Sequence, residues 1–200
     1  MPTKVAEQWN ETGYVKLQGH LTEEGQRALR AEARDLESDA VPRGVSTIEI
    51  RRDGSFASPS QFRVHSAGPT LQALHRNKDL LATVRTITGL DRLIPVRATY
   101  NYYSPGDYMG VHRDEIRATV TLTFPLTDGM PPTHYKAEGR EWDDDSLMAY
   151  VEENGSLPED GDEMTLEPDT INMFDGYNIP HWRAPVTEQH ILGNLIYFRL

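Results

Sequence analysis

The stretch NYYSPGDYMGVHRDE, residues 101–115, places a histidine and an aspartate two positions apart just after a Ser-Pro-Gly turn. On an extended strand, residues i and i+2 point to one face. His112 and Asp114 are therefore expected to converge, an imidazole nitrogen beside a carboxylate oxygen. Such a pair is either two thirds of a metal site or a solvated strand edge. The motif alone is cheap. With seven histidines and 31 acidic residues in the chain, roughly one His-x-Asp/Glu match arises by chance, and one is present.

Three features tip the balance toward a site. The pair follows a Pro-Gly turn at the expected start of a strand, where ligands face the mouth of a β-barrel. A partner exists downstream, because His181 follows FDGYNIP and opens the expected strand HWRAPV. Two histidines and one carboxylate form the facial triad that leaves coordination positions open on non-haem Fe(II). Zinc more usually takes a third histidine or a cysteine, and calcium takes more carboxylates. Finally, the neighbourhood suits a dicarboxylate co-substrate. Asn101 and Tyr103 share one strand face, and Arg183 lies two residues past His181 on that histidine's face. An arginine aimed into a barrel is costly unless it meets an anion.

Composition narrows the classes further. The chain has 200 residues, enough for one domain with a proper core, and a formal net charge of −11 without a basic tract. It therefore lacks the electrostatic footprint of a nucleic-acid or anionic-membrane binder. Mean hydropathy is −0.59, and no apolar run approaches the ~20 residues of a membrane span. The N-terminus MPTKVAEQWN has no apolar segment of a secretory signal. With no cysteine, thiolate nucleophiles, disulfides and sulfur-ligated metals are excluded, and a cytoplasmic setting is the simplest expectation.

Along the chain, GYVKLQ (13–18) reads as a strand. A helix runs from the N-cap Thr22 to about Leu36, and IEIRR (48–52) reads as a further strand. After Pro69, TLQALHRNKDLLATVRTITG reads as one helix ended by Gly89. From Leu93, RATYNYY (97–103), ATVTLTF (118–124), TINMFDG (170–176), HWRAPV (181–186) and ILGNLIYFRL (191–200) read as antiparallel strands. Residues 127–168 turn polar and acidic and read as a solvated excursion with a short helix near Ser146–Glu153, or as a lid. The expected fold is mainly β with flanking α-helices around a jelly-roll core. A single domain over 1–200 is expected. Residues 1–92 provide helical support and first strands, and 93–200 the core, with the acidic insertion at 127–168.

The stretch NYYSPGDYMGVHRDE, followed by IRATVTLTFPL and EPDTINMFDGYNIPHWRAPV, resembles the 2-oxoglutarate/Fe(II)-dependent oxygenases, most closely their prolyl-hydroxylase-like branch. TGYVKLQGHLTEEGQRALRAEARDL is similar to the strand-then-helix opening of many of these enzymes. The resemblance implies a double-stranded β-helix, with His112, Asp114 and His181 as iron ligands and 2-oxoglutarate and O2 as co-substrates. It also implies that the Asn101-x-Tyr103 pair helps hold 2-oxoglutarate. Members usually carry an arginine or lysine nine to fourteen residues after the second histidine. Here the ninth position is His190 and the first late basic residue is Arg199. Strand alternation puts His190, Leu192, Asn194 and Ile196 on one face and Arg199 on the other. Arg183 is thus expected to meet the distal carboxylate with His190 assisting, and Arg199 is the alternative if a bulge shifts the register.

The implied reaction is hydroxylation of an unactivated C–H bond, with succinate and CO2 released. A small molecule such as an amino acid or natural-product intermediate is the expected substrate. A protein side chain is the alternative, and a cupin-like metal-binding protein without redox chemistry is the rival from another class. Tyr100, Tyr102 and Tyr108 are expected as barrel aromatics and Trp182 as an outer-face residue. His20, His65, His75 and His134 are expected on the surface or in loops. Loops at 51–68 and 128–165 are expected at the pocket rim, with Arg51, Arg52 and Arg63 either greeting an anionic substrate or solvated. Arg117 is expected in a surface ion pair with a nearby carboxylate, with substrate binding at the strand's edge as the alternative.

Overall fold

In the segments 98–103, 118–124 and 170–174, apolar residues recur at every second position, and the chain meets that pattern with strands. The structure is a computed structural model that describes residues 3–50, 55–116 and 118–200. The strands up to the first long one are β1 (Tyr14–Gln18), β2 (Val41–Arg43), β3 (Glu49–Ile50), β4 (Phe56–Ala57), β5 (Ser60–Ser66) and β6 (Leu93–Tyr103). They are followed by β7 (Tyr108–His112), β8 (Val120–Pro125), β9 (Thr133–Tyr135), β10 (Asp162–Met164), β11 (Thr170–Phe174), β12 (His181–Arg183) and β13 (His190–Arg199). The helices are α1 (Lys4–Thr12), α2 (Glu23–Leu36), α3 (Pro69–His75), α4 (Lys78–Thr88) and α5 (Asp144–Asn154).

All described pairings are antiparallel, and few neighbours in space are neighbours in sequence. One set runs β1-β11-β8-β13-β6-β5, and the second runs β7-β12-β9-β10. β5 joins the two, pairing β6 through residues 63–66 and β7 through Ser60 and Gln61. The sheet thus curls on itself as a jelly roll, with helices on its outside, in accord with the mainly β expectation.

Alternation sorts the two faces. On β6, Tyr100 and Tyr102 point outward into the main core, where Val120, Leu122, Phe124 and Leu195 meet Leu29, Ala33, Leu71 and Val84 of the helices. Their hydroxyls are satisfied there, Tyr100 donating to Glu32 at 2.6 Å and Tyr102 to the Ala33 carbonyl at 2.7 Å. Asn101 and Tyr103 point the other way, into the cavity. Fully burying each large side chain of this core stabilises the fold by about 1.5–3 kcal/mol, so the helices are bound to the sheet's back and leave its inner face free.

Several local expectations change. α1 is an unanticipated helix, opened by the Thr3 hydroxyl accepting from Ala6 N–H and closed by left-handed Gly13. The span after Pro69 is two helices, not one. Asn77 is extended, and its side chain accepts from the N–H groups of Asp79 and Leu80, which starts α4 anew. Gly89 does end α4, at φ 68°. Residues 127–168 supply more than a solvated excursion: β9 pairs with β12, β10 pairs with β9, and α5 packs Leu147 and Val151 onto Trp182 and Phe56. Asp143 is the N-cap of α5, accepting from Ser146 N–H at 2.9 Å. Trp182 does face away from the cavity, under α5. The strand expected at 48–52 survives as Glu49–Ile50; Arg51 and Arg52, like Arg117, lie outside the described residues.

His75 is the clearest departure from a surface position. It sits in α3 at 5 % exposure, its Nε2 2.9 Å from the Ile196 carbonyl and its ring 4.8 Å from Tyr197. Burial drives its pKa below the ordinary value, only partly offset by that hydrogen bond, and Arg76 adds to the depression. An unfolded histidine takes its proton near pH 6.5, whereas folded His75 resists it. The unfolded state therefore binds more protons below pH 6.5, and stability falls as the pH falls. Urea unfolding of His75→Gln at pH 7.5 and 5.5 is expected to show a smaller acid loss than wild type; an equal loss would remove His75 as a contributor.

Candidate metal and co-substrate site

β7 and β12 lie side by side with His181 directly opposite His112. That register, rather than proximity in sequence, brings the two imidazoles together with ring centroids 4.0 Å apart. Each ring is oriented by its own backbone: His112 Nδ1 lies 2.9 Å from the Gly110 carbonyl, and His181 Nδ1 2.9 Å from that of Ile179. A carbonyl accepts only, so each Nδ1 carries the proton and each Nε2 presents a lone pair. Burial pushes the pKa of His112 down to about 3, helped by the neighbouring His181, and that of His181 to about 4. Both rings are therefore neutral at pH 7, the state in which imidazole binds a metal.

Asp114 arrives by a different route from the one expected. β7 ends at His112, so His112 closes a strand instead of opening one, and Asp114 lies beyond it in a loop. Strand alternation therefore does not place the carboxylate. Contacts do: Asp114 N–H donates to the Gly176 carbonyl at 2.8 Å, and the Thr121 hydroxyl donates to Asp114 Oδ2 at 2.6 Å. Oδ1 is left 3.8 Å from His112 Nε2 and 4.0 Å from His181 Nε2. The three donor atoms lie within 4.8 Å of one another, and among the described residues no other group of three could hold a metal.

These residues open onto a cavity of about 510 Å³, whose wall also includes Asn101, Tyr103 and Arg183. Arg183 is 1 % exposed. Its Nη2 donates to the Thr133 hydroxyl, while Nε and Nη1 have no hydrogen-bond partner among the described residues. Its guanidinium carbon lies 5.1 Å from the centroid of the Tyr103 ring, which in turn stacks on Phe62. Burial lowers the Arg183 pKa and raises that of the Tyr103 phenol, each group partly offsetting the other's shift. A buried cation without a carboxylate partner is a costly arrangement, and an incoming anion relieves it.

Of the sequence-derived residues, the structure gathers His112, Asp114, His181, Asn101, Tyr103 and Arg183 around this cavity. His190 stands apart from the wall. It is buried at the start of β13 opposite Tyr103, its Nδ1 3.2 Å from the Thr127 hydroxyl. Arg199 is exposed at the end of β13, although the strand does bulge between Ile196 and Tyr197. Arg63 is not free for a substrate, since it is ion-paired with Glu37 at 3.0 Å. His65, expected outside, lies on β5 and lines the cavity, and His134 lies on β9 stacked on Trp182. The described rim comes from residues 39–45 and 57–66, and 128–165 contributes only Thr133.

Thr121, Thr133 and Gly176 were not singled out in the sequence. Thr121 had a signal. In ATVTLTF, threonine alternates with the core residues Val120, Leu122 and Phe124, and such a hydroxyl on the opposite buried face needs a partner. Gly176 and Thr133 had none, because their neighbours come from elsewhere in the chain.

No family model matches the sequence, and no curated protein matches it. Solved structures do match the fold. SnoN, a non-haem α-ketoglutarate-dependent epimerase from nogalamycin biosynthesis, superposes with a TM-score of 0.72 at 14% identity, covering 98% of this chain and 81% of its own. HygX from Streptomyces hygroscopicus, solved with nickel and 2-oxoglutarate bound, gives 0.71 at 11% identity, with coverage of 100% and 87%. A Pseudomonas putida prolyl-4-hydroxylase gives 0.62 at 18% identity, with coverage of 98% and 97%. The chain therefore has the jelly-roll fold on which these 2-oxoglutarate-dependent enzymes are built.

Proposed function

We propose that the protein is an Fe(II)- and 2-oxoglutarate-dependent oxygenase that hydroxylates an unactivated C–H bond of a small molecule. One observation carries this: a buried guanidinium, with two nitrogens that have no hydrogen-bond partner among the described residues, opens into the same cavity as a His-Asp-His cluster. Two neutral imidazoles and one carboxylate fit Fe(II) with positions left open. Arg183 fits the distal carboxylate of 2-oxoglutarate, with Thr133, Asn101 and Tyr103 beside it; His190 contributes from behind the wall.

When bound, iron with 2-oxoglutarate and O2 supplies an oxidative decarboxylation that yields succinate, CO2 and a hydroxylated product. The chain's own part is geometric and electrostatic. His112, Asp114 and His181 would hold the metal, and Arg183 would align the co-substrate. The enclosing strands exclude water from that end of the cavity. A cavity of about 510 Å³ suits a compact molecule beside the co-substrate. HygX and SnoN have been solved with hygromycin B and nogalamycin RO bound, which also favours a small-molecule substrate. The near full-length match to a prolyl-4-hydroxylase keeps a peptide side chain as the second choice.

The test is anaerobic titration of metal-free protein with Fe(II) and then 2-oxoglutarate, following the visible metal-to-ligand charge-transfer band. Saturation at one equivalent of each is expected. Tight iron binding without a band would overturn the oxygenase assignment and leave a metal-binding jelly roll.

A further inference from the structure

Building on the metal site proposed above, we infer that Thr121 and Gly176 are positioning residues that make Asp114 a one-oxygen ligand. An ionised carboxylate offers two equivalent oxygens and about four lone-pair directions, so nothing in the aspartate itself prevents both oxygens from reaching one metal. The surroundings break that equivalence. The Thr121 hydroxyl donates to Oδ2 at 2.6 Å, within the short range of a charge-assisted O–H···O bond. Oδ1 alone is left toward the two Nε2 atoms, at 3.8 Å and 4.0 Å.

Gly176 makes that contact possible. Its carbonyl accepts the Asp114 N–H, which fixes the backbone of the ligand loop. A Cβ at position 176 would fall inside the van der Waals surfaces of both Asp114 Oδ2 and Thr121 Oγ1. The glycine is required here for space, not for backbone conformation. β8 is a rigid base for the donor: all its residues are buried, and it pairs with β11 on one side and β13 on the other. Thr121 therefore cannot follow Asp114 if the carboxylate rotates. With Oδ2 held, one more coordination position stays open for co-substrate and O2 than a two-oxygen carboxylate would leave.

The experiment compares Thr121→Val, Thr121→Ser and Gly176→Ala with wild type, using anaerobic Fe(II) titration and the visible d–d spectrum of the Co(II)-loaded proteins. Thr121→Val keeps the shape and removes the donor. Its Fe(II) affinity is expected to fall about tenfold or more, with a weaker Co(II) absorption as Oδ2 joins the metal. Thr121→Ser restores both toward wild type, and Gly176→Ala, which pushes directly on the carboxylate, loses more affinity than Thr121→Val. Wild-type affinity and spectrum in Thr121→Val would overturn the inference while leaving the metal site intact. A Thr121→Val protein with a lowered thermal midpoint but an unchanged Co(II) spectrum would also overturn it, since that marks a structural role only. If wild type itself binds neither Fe(II) nor Co(II), the metal site fails and this inference with it. Should Thr121→Val not fold, the Ser and Ala variants decide: Gly176→Ala with a wild-type Co(II) spectrum overturns the inference.

Discussion

Arg183→Met is expected to weaken 2-oxoglutarate binding about a hundredfold or more, the cost of truncating one partner of a buried charge pair at about 3 kcal/mol, while Fe(II) affinity changes little. The opposite sign is expected for the ligand-free protein. There Arg183 is 1 % exposed with Nε and Nη1 unpartnered among the described residues. An uncompensated buried charge costs stability, and an apolar side chain of similar length removes that cost. The ligand-free variant should therefore unfold at the same temperature as wild type or higher, yet show no thermal shift on adding 2-oxoglutarate to the metal-loaded form. Differential scanning fluorimetry with and without the co-substrate measures both quantities. A variant that loses stability and keeps the 2-oxoglutarate shift would mean that Arg183 is structural. His190→Ala run alongside separates the two basic residues. It is expected to have the smaller effect, because its ring lies outside the cavity wall.

Removing a ligand should have the largest effect of any single change. Loss of one of three donors from a site with a metal-binding energy of about 10–16 kcal/mol removes on the order of 4 kcal/mol, roughly a thousandfold in affinity. His112→Ala, Asp114→Ala and His181→Ala are each expected to reach this loss in a chelator-competition assay with Fe(II). Their stabilities should differ. His181 is 2 % exposed with its ring 4.8 Å from Phe174, so His181→Ala opens a cavity and should cost about 2 kcal/mol or more in the metal-free protein. Asp114 stands in a loop beyond β7, and its removal should be much milder. Unchanged iron affinity in any of the three would remove that residue from the site.

Much of the site was legible because strand alternation is local. The order Tyr100, Asn101, Tyr102, Tyr103 assigns two tyrosines to one face and the Asn/Tyr pair to the other, and the structure keeps that division. Arg183 could likewise be assigned to the face of His181. Asp114 was chosen correctly as a neighbour of His112, but for the wrong physical cause. The strand stops before it, and a threonine and a glycine from other segments hold it instead. The helix break at Asn77 was missed for a related reason: apolar periodicity ran through it, and the capping side chain outweighed that pattern.

By itself the sequence determined which groups were available: two neutral-capable imidazoles, one carboxylate, an inward arginine, and alternating strands to present them. Tertiary structure decided what those groups became. Residues far apart in the chain set the His112–His181 register, choose which Asp114 oxygen faces the histidines, and leave Nε and Nη1 of Arg183 without a hydrogen-bond partner among the described residues. A residue's type and face follow from its own neighbours along the chain, whereas pairing, burial and missing partners are properties of the surroundings that only folding assembles.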